Sequence, residues 1–266
     1  MNGEDNYSYE NQIDIIEDNV NVTKTSDIKE FFILIGGIVL LIFTILFLSD
    51  LAMRFFLDKM TYETQTKIES FLTLDALPER TYSENEQIWL NRLNNINNKI
   101  IAQDDELKKL KPLNIDISTK KEINAYILPN GNIYFTTGIL NNLKTDEQAA
   151  FVLAHEIAHY KNRDHLKSIG RSILALTTIS IIGCGSGDLA QKIMYSIYDI
   201  GDLRYSKRQE IEADRYANEV IKKIYGTNKG AIEFFQLIDK NQKLPEFVHY
   251  FSTHPSPQTR IRLLGN

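Results

Sequence analysis

The spacing of apolar positions divides the chain into stretches of different character. Residues 1–30 show no apolar period and carry eight acids against Lys24 and Lys29. That composition predicts a disordered acidic tail. Residues 31–49, Phe31 to Ser49, then run without a charge, and only Thr44 and Ser49 are polar. A run of that length crosses a bilayer as one helix, and a core helix seldom stays uncharged for so long. It is too long, and too far from residue 1, for a signal-peptide core. Residues 50–80 read as a juxtamembrane helix and a linker ending near Pro78, and residues 81–266 as one folded domain.

Within that domain the period changes several times. Ser83 to about Ala102 reads as an amphipathic helix with Ile88, Leu93, Ile96 and Ile100 near one face. Leu113 to Ser118 alternates as a strand does. Ile123–Leu128 and Ile133–Thr136 flank Pro129-Asn130-Gly131-Asn132, the signature of a hairpin. Thr145 with Gln148 three residues on predicts a capping box, and Asp146 and Glu147 suit the positive end of the helix that follows. From Ala149 to Ala158 that helix is apolar almost all round, so it belongs in a core. A polar break at Lys161–His165 follows it. Ile169–Gly185 and Leu189–Leu203 read as a hairpin packed on the domain or dipping into the membrane interface. Ser206 to about Tyr225 predicts a further helix.

Composition narrows the picture modestly. The net charge is −5 and there is no basic block, so nucleic acid is not an expected partner. Cys184 stands alone, which excludes an intramolecular disulfide framework and a multi-cysteine zinc site. The chemistry lies instead in His155-Glu156-Ile157-Ala158-His159, inside the apolar helix. Residues four apart on a helix point about 40° from one another, so both imidazoles can close on one Zn²⁺. Glu156, beside the first of them, can act as general base toward water attacking a carbonyl. Core histidines satisfied by backbone carbonyls are the plainer alternative, but an ionisable trio in an apolar helix needs a partner, and a metal supplies one.

Catalytic zinc usually takes three protein ligands, and two candidates compete for the third place. His165 lies ten residues after His155, a metzincin-like spacing that requires a sharp turn near Asn162; Met194-Tyr195 falls where a methionine turn would be sought. The rival is Glu210, four residues before Asp214 on a predicted helix, with Asp214 available to receive a ring N–H from a ligand histidine. Glu212 lies about 200° round that helix from Glu210 and is expected to face away. Acids at such spacing are also common on solvated helix faces, so spacing alone leaves both candidates open.

Four separated segments resemble the HtpX and CAAX-prenyl-protease family of zinc metallopeptidases. They are His155 to Asp164; Tyr205-Ser206-Lys207-Arg208-Gln209-Glu210-Ile211-Glu212-Ala213-Asp214; Phe251-Ser252-Thr253-His254-Pro255; and Asn124 to Gly131, continuing through Gly138-Ile139-Leu140. They occur in order over roughly residues 80–264. The resemblance implies an α+β zincin-like domain, mostly helical with a small sheet, and zinc-dependent endopeptidase activity with one Zn²⁺ per chain. It assigns His155, His159 and Glu210 to the metal, Glu156 as general base and Asp214 as the partner of a ligand histidine. It further implies that His254 stabilises the oxyanion or gates the site, and that Asn124, Ala125 and Tyr126 form a substrate-binding edge strand. Two features depart from the family: one membrane helix where relatives of this type have two, and the long acidic tail.

The expectation is a single-pass integral membrane metalloendopeptidase. Its expected partners are the lipid bilayer and unfolded or membrane-associated polypeptides, with a role in membrane protein quality control by family analogy. The competing expectation is a non-enzymatic membrane adaptor or chaperone that keeps zinc only for its fold.

Overall fold

The computed structural model describes residues 27–71, 80–110, 112–181, 205–241, 254 and 260. Most of the acidic tail, the stretch 182–204 with the expected second arm of the hairpin and Met194-Tyr195, and the neighbours of His254 in the Ser-Thr-His-Pro segment lie outside those residues. By internal contacts the chain separates into Met1–Ile45 and Leu46–Asn266.

Helix α1 (Asp27–Lys59) begins in the first unit and ends in the second; it opens with Asp27 and Glu30 in its first turn, where acids suit the positive helix end. Thus the last residues of the acidic tail already belong to the helix. Its large apolar side chains stand exposed, Ile33 at 74% and Phe43 at 71% among them. No soluble helix keeps such a surface in water; a bilayer matches it. Among the described residues α1 is the one helix long and apolar enough to cross a membrane, and the chain is anchored by it.

The second unit is built around a buried helix. Helix α2 (Tyr62–Phe71) is followed by α3 (Glu84–Ala102), which Ser83 opens with a complete capping box to Glu86. The buried face of α3 is Trp89, Leu90, Leu93, Ile96, Asn97 and Ile100. Ile88 is 51% exposed instead, because it lies about 140° from Leu93 around the axis while Trp89 falls four residues before it. A short 3-10 turn, Leu107–Lys109, leads to strand β1 (Asn114–Ser118). Strands β2 (Ala125–Ile127) and β3 (Asn132–Thr136) form the expected hairpin, closed by Gly131 at φ 80°. The sheet order is β1-β3-β2, with β1 parallel and β2 antiparallel to β3, so β2 is an edge.

After the short helix α4 (Thr137–Leu140) comes α5 (Asp146–Lys161), in which every residue from Gln148 to Tyr160 is buried. Thr145 caps it by accepting from Gln148 N. The reciprocal bond goes one residue further back, from Lys144 N to Gln148 Oε1 at 2.8 Å, so the expected capping box is half formed. Helices α6 (Asp164–Ile181), α7 (Lys207–Tyr225) and α8 (Lys229–Asn241) follow. Ser206 and Gln209 form a full capping box on α7, and Gly226 ends it at φ 72°, a left-handed conformation that glycine adopts without a Cβ penalty. α5 packs chiefly on α7, and on α3 and α8 as well. The close approach of α8 depends on Gly230, where a Cβ would meet the Glu147 backbone at 2.5 Å. Wrapped on these sides, α5 needs the all-round apolar surface its sequence shows.

Candidate metal centre

The geometry follows from three helices meeting at the second half of α5. His155 and His159 lie one turn apart, with their Nε2 atoms 3.0 Å from each other. α7 brings Glu210 to the same point, Oε1 lying 3.4 Å from His159 Nε2 and Oε2 3.7 Å from His155 Nε2. One ligand atom from each of His155, His159, Glu210 and His254 lies within 4.8 Å of the others, and all four residues are buried.

Each imidazole is held from behind by an acid. His159 Nδ1 is 2.9 Å from Asp164 Oδ2, at the start of α6. Asp164 Oδ1 in turn accepts from Gln209 Nε2 at 2.7 Å. His155 Nδ1 is 3.0 Å from Asp214 Oδ1, an ion-pair distance without hydrogen-bond alignment. The Tyr205 ring stacks on His159 with centroids 3.8 Å apart. Arg260, 2% exposed, ties the acids together. Its Nε and Nη2 donate to Asp214 at 2.6 and 2.7 Å, and its Nη1 lies 2.9 Å from Glu210 Oε2.

These contacts separate the protonation behaviour of neighbouring groups. Burial pulls the His155 pKa down to about 4. Burial acts the same way on His159, but the bonds to Asp164 and Glu210 outweigh it and raise that ring to about 10. The two rings are thus pushed in opposite directions by their different partners. Burial also opposes the charges on Glu210 and Asp214, yet His254 and Arg260 hold Glu210 well below the usual carboxylate range, and Arg260 holds Asp214 below it. Glu156 moves the other way, its carboxyl pushed up by burial.

The donor set fits zinc: two imidazole nitrogens and a carboxylate converge while the far ring nitrogens face acids, which fix the tautomer and orientation a ligand histidine needs. His155, His159, Glu210 and Asp214, the set that the family resemblance implies, lie together in the structure, with Glu156 on the same helix beside them. Glu212 faces away, as expected, and pairs with Arg208 at 2.8 Å.

His165 does not join them. Its Nε2 is 3.3 Å from Glu69 Oε1, and its ring stacks on Tyr160 with centroids 5.2 Å apart. The turn that would have carried it to the metal is made by Arg163, at φ 57°, and not by Asn162, which caps α5 at φ −78°. α6 resumes at Asp164, so His165 is carried in its first turn toward α2, and the metzincin alternative fails on that placement.

Asp164 and Arg260 were not picked out from sequence. Asp164 lies inside the quoted motif but at a helix start, where an acid needs no special explanation. Arg260 gives no local signal; only the sum of buried acids asks for a cation, and many arginines could answer.

The family model for Peptidase family M48 matches residues 91–266. The chain belongs to peptidase family M48. Among its M48 relatives is the mitochondrial metalloendopeptidase OMA1 of Bos taurus, 32% identical over 165 residues, covering 56% of this chain and 31% of that protein. The Schizosaccharomyces pombe OMA1 is 29% identical over 141 residues, covering 52% and 42%. The metalloprotease LoiP of Escherichia coli (strain K12) is 23% identical over 159 residues, covering 57% and 61%. The chain thus spans from about a third to three fifths of the length of these M48 proteins.

Proposed function

We propose that this chain is a membrane-anchored, zinc-dependent metalloendopeptidase. The observation that carries the reading is the convergence of His155, His159 and Glu210 beside the buried Glu156. Those three side chains would hold Zn²⁺. When bound, the ion supplies Lewis acidity toward a carbonyl oxygen and acidifies water. Glu156 takes the proton of the attacking water and returns it to the departing amine, so that the peptide bond is hydrolysed and no proton is lost to solvent. Burial raises its proton affinity, which favours taking a proton from water.

The remaining site residues have supporting roles. Asp164 and Asp214 orient the two imidazoles. His254 Nδ1 lies 3.1 and 3.2 Å from the two Glu210 oxygens, and its Nε2 lies 3.8 Å from Glu156 Oε1. Set against both Glu210 and Glu156, it gates the approach to them. Asn124, Ala125 and Tyr126 lie at or beside the edge strand β2, where an extended polypeptide adds as a further strand. The polypeptides that suit such an edge are unfolded or membrane-associated, in keeping with a quality-control role. Purified protein is expected to contain about one zinc per chain and to cleave casein. If Glu156→Gln cleaves as fast as the parent, this reading is wrong.

One observation favours a second reading. His254 stands where a fourth protein ligand would, and four protein ligands describe a structural zinc site in an adaptor or chaperone. Glu156 has no task in such a site. Zinc retention with no proteolysis across a broad substrate panel would establish it.

A further inference from the structure

A cavity of about 460 Å³ lies behind His159, lined by the C-terminal part of α1 and the first turns of α6 and α7. Four cations, Arg54, Lys167, Arg171 and Arg208, face it together with Asp58, Asp164 and Glu212. Most of that charge is matched in place. Arg208 pairs with Glu212 at 2.8 Å, Lys167 with Asp58 at 3.2 Å, and Arg54 with Asp50 outside the cavity. Asp164 is committed to His159 and Gln209.

Arg171 differs from the others. Its Nη2 donates to Ser168 Oγ at 2.9 Å and to Gln209 Oε1 at 3.3 Å, both neutral oxygens. Among the described residues no carboxylate bonds it, and its Nε and Nη1 find no acceptor. A guanidinium with open N–H groups in a half-buried cavity is a fork for a tetrahedral oxyanion, and the flanking cations add to its field.

The position along α1 indicates where the anion comes from. Arg54 stands five residues beyond Ser49, the end of the uncharged run, or about 7 Å along the axis. The headgroup layer on each face of a bilayer is about 5–8 Å thick. The cavity wall therefore lies at the depth of lipid phosphates, where basic side chains attract anionic headgroups.

We propose that this cavity binds the phosphate of an anionic phospholipid headgroup, with Arg171 as the fork and Lys167 and Arg208 beside it. Asp164, Gln209 and Tyr205, which also line the cavity, are the groups that hold His159. A headgroup seated there touches the support of the metal centre without entering it. The binding itself does not depend on the proteolytic reading, and its test uses no proteolysis.

The full chain, zinc-loaded in detergent, is mixed with equal amounts of phosphatidylglycerol and phosphatidylcholine, and the retained lipid is counted by native mass spectrometry. Retention of phosphatidylglycerol is expected to exceed that of phosphatidylcholine by about fivefold or more, and Arg171→Gln to remove most of that preference. Lys121→Gln, an exposed cation away from the cavity, should leave it intact. If Arg171→Gln does not accumulate as folded protein, Arg208→Gln carries the same test, because that side chain is 82% exposed. Equal retention of the two lipids, or a preference untouched by the cavity variants, overturns the proposal. Full displacement of phosphatidylglycerol by excess inorganic phosphate would make this a free-anion site and overturns the lipid assignment.

Discussion

Imidazole is buried against carboxylate in two places, and the two are built for different ends. At the candidate metal centre the Nε2 atoms of His155 and His159 face one another and Glu210, while their Nδ1 atoms face Asp214 and Asp164. Six residues along the chain, His165 turns its own Nε2 to Glu69, and its Nδ1 is buried without a hydrogen-bond partner among the described residues. Glu69 also accepts from Tyr160 Oη at 2.9 Å and from Gln65 Nε2 at 2.8 Å. Arg163 donates to Gln65 and to the Leu57 and Met60 carbonyls, binding the end of α5 to the end of α1 and to α2. The first cluster collects lone pairs at one point; the second spends them on joining helices. A buried histidine reads as a ligand when its far nitrogen is backed by an acid and its near nitrogen faces other donors. Otherwise it is a strut.

The largest effect that would break this distinction is on turnover. Glu156→Gln should lower casein cleavage by about 10²–10⁴-fold with zinc content unchanged, read by steady-state rates and metal analysis. The mirror experiment belongs to the strut. Glu69→Ala leaves Tyr160, Gln65 and His165 without their shared acceptor and should cost about 3 kcal/mol of stability. At saturating zinc it should still bind one ion per chain; zinc loss comparable to that in Glu210→Ala would merge the two clusters into one.

A smaller effect sharpens the comparison from the metal side. Asp164→Asn removes the charge behind His159 and should weaken zinc affinity by about 10–100-fold in a chelator competition. His165→Gln, six residues from His159, should leave that affinity unchanged.

The smallest effect comes from a control outside both clusters. The bond from Arg80 holds Glu86 down at about 2, below the usual value of 4.5. Its stabilisation is therefore complete above the ordinary carboxylate pKa and is lost as pH falls from 4.5 toward about 2. Glu86→Gln keeps the cap on α3 and should lower the melting temperature at neutral pH by about 2 °C. The difference from the parent should vanish near pH 2, followed by thermal melts across that range.

How much of this could be read from the chain alone differs by region. α5 was legible because its apolar surface, its cap and its two histidines four residues apart coincide in one stretch. α7 was legible from Ser206 onward and from the pair Glu210 and Asp214 one turn apart. On α3 the period was right but Ile88 was placed on the wrong side, since a short window leaves the angle of the buried face loosely determined. Asp164 was in view without a role, because its partner His159 becomes its neighbour only after Arg163 turns the chain.

By itself, then, the sequence determined what local geometry controls: the membrane helix, the buried helix with its two histidines, the hairpin and the residue types able to hold zinc. Helical and strand periods act over a few residues, so they are written locally. The choice of Glu210 over His165 as the converging donor, the placement of Arg260 among buried acids and the joining of α2 to the end of α5 belong to the tertiary structure. Each depends on which groups meet across 40 to 100 residues of chain, and that is fixed by packing and by the cost of leaving a buried charge without its opposite.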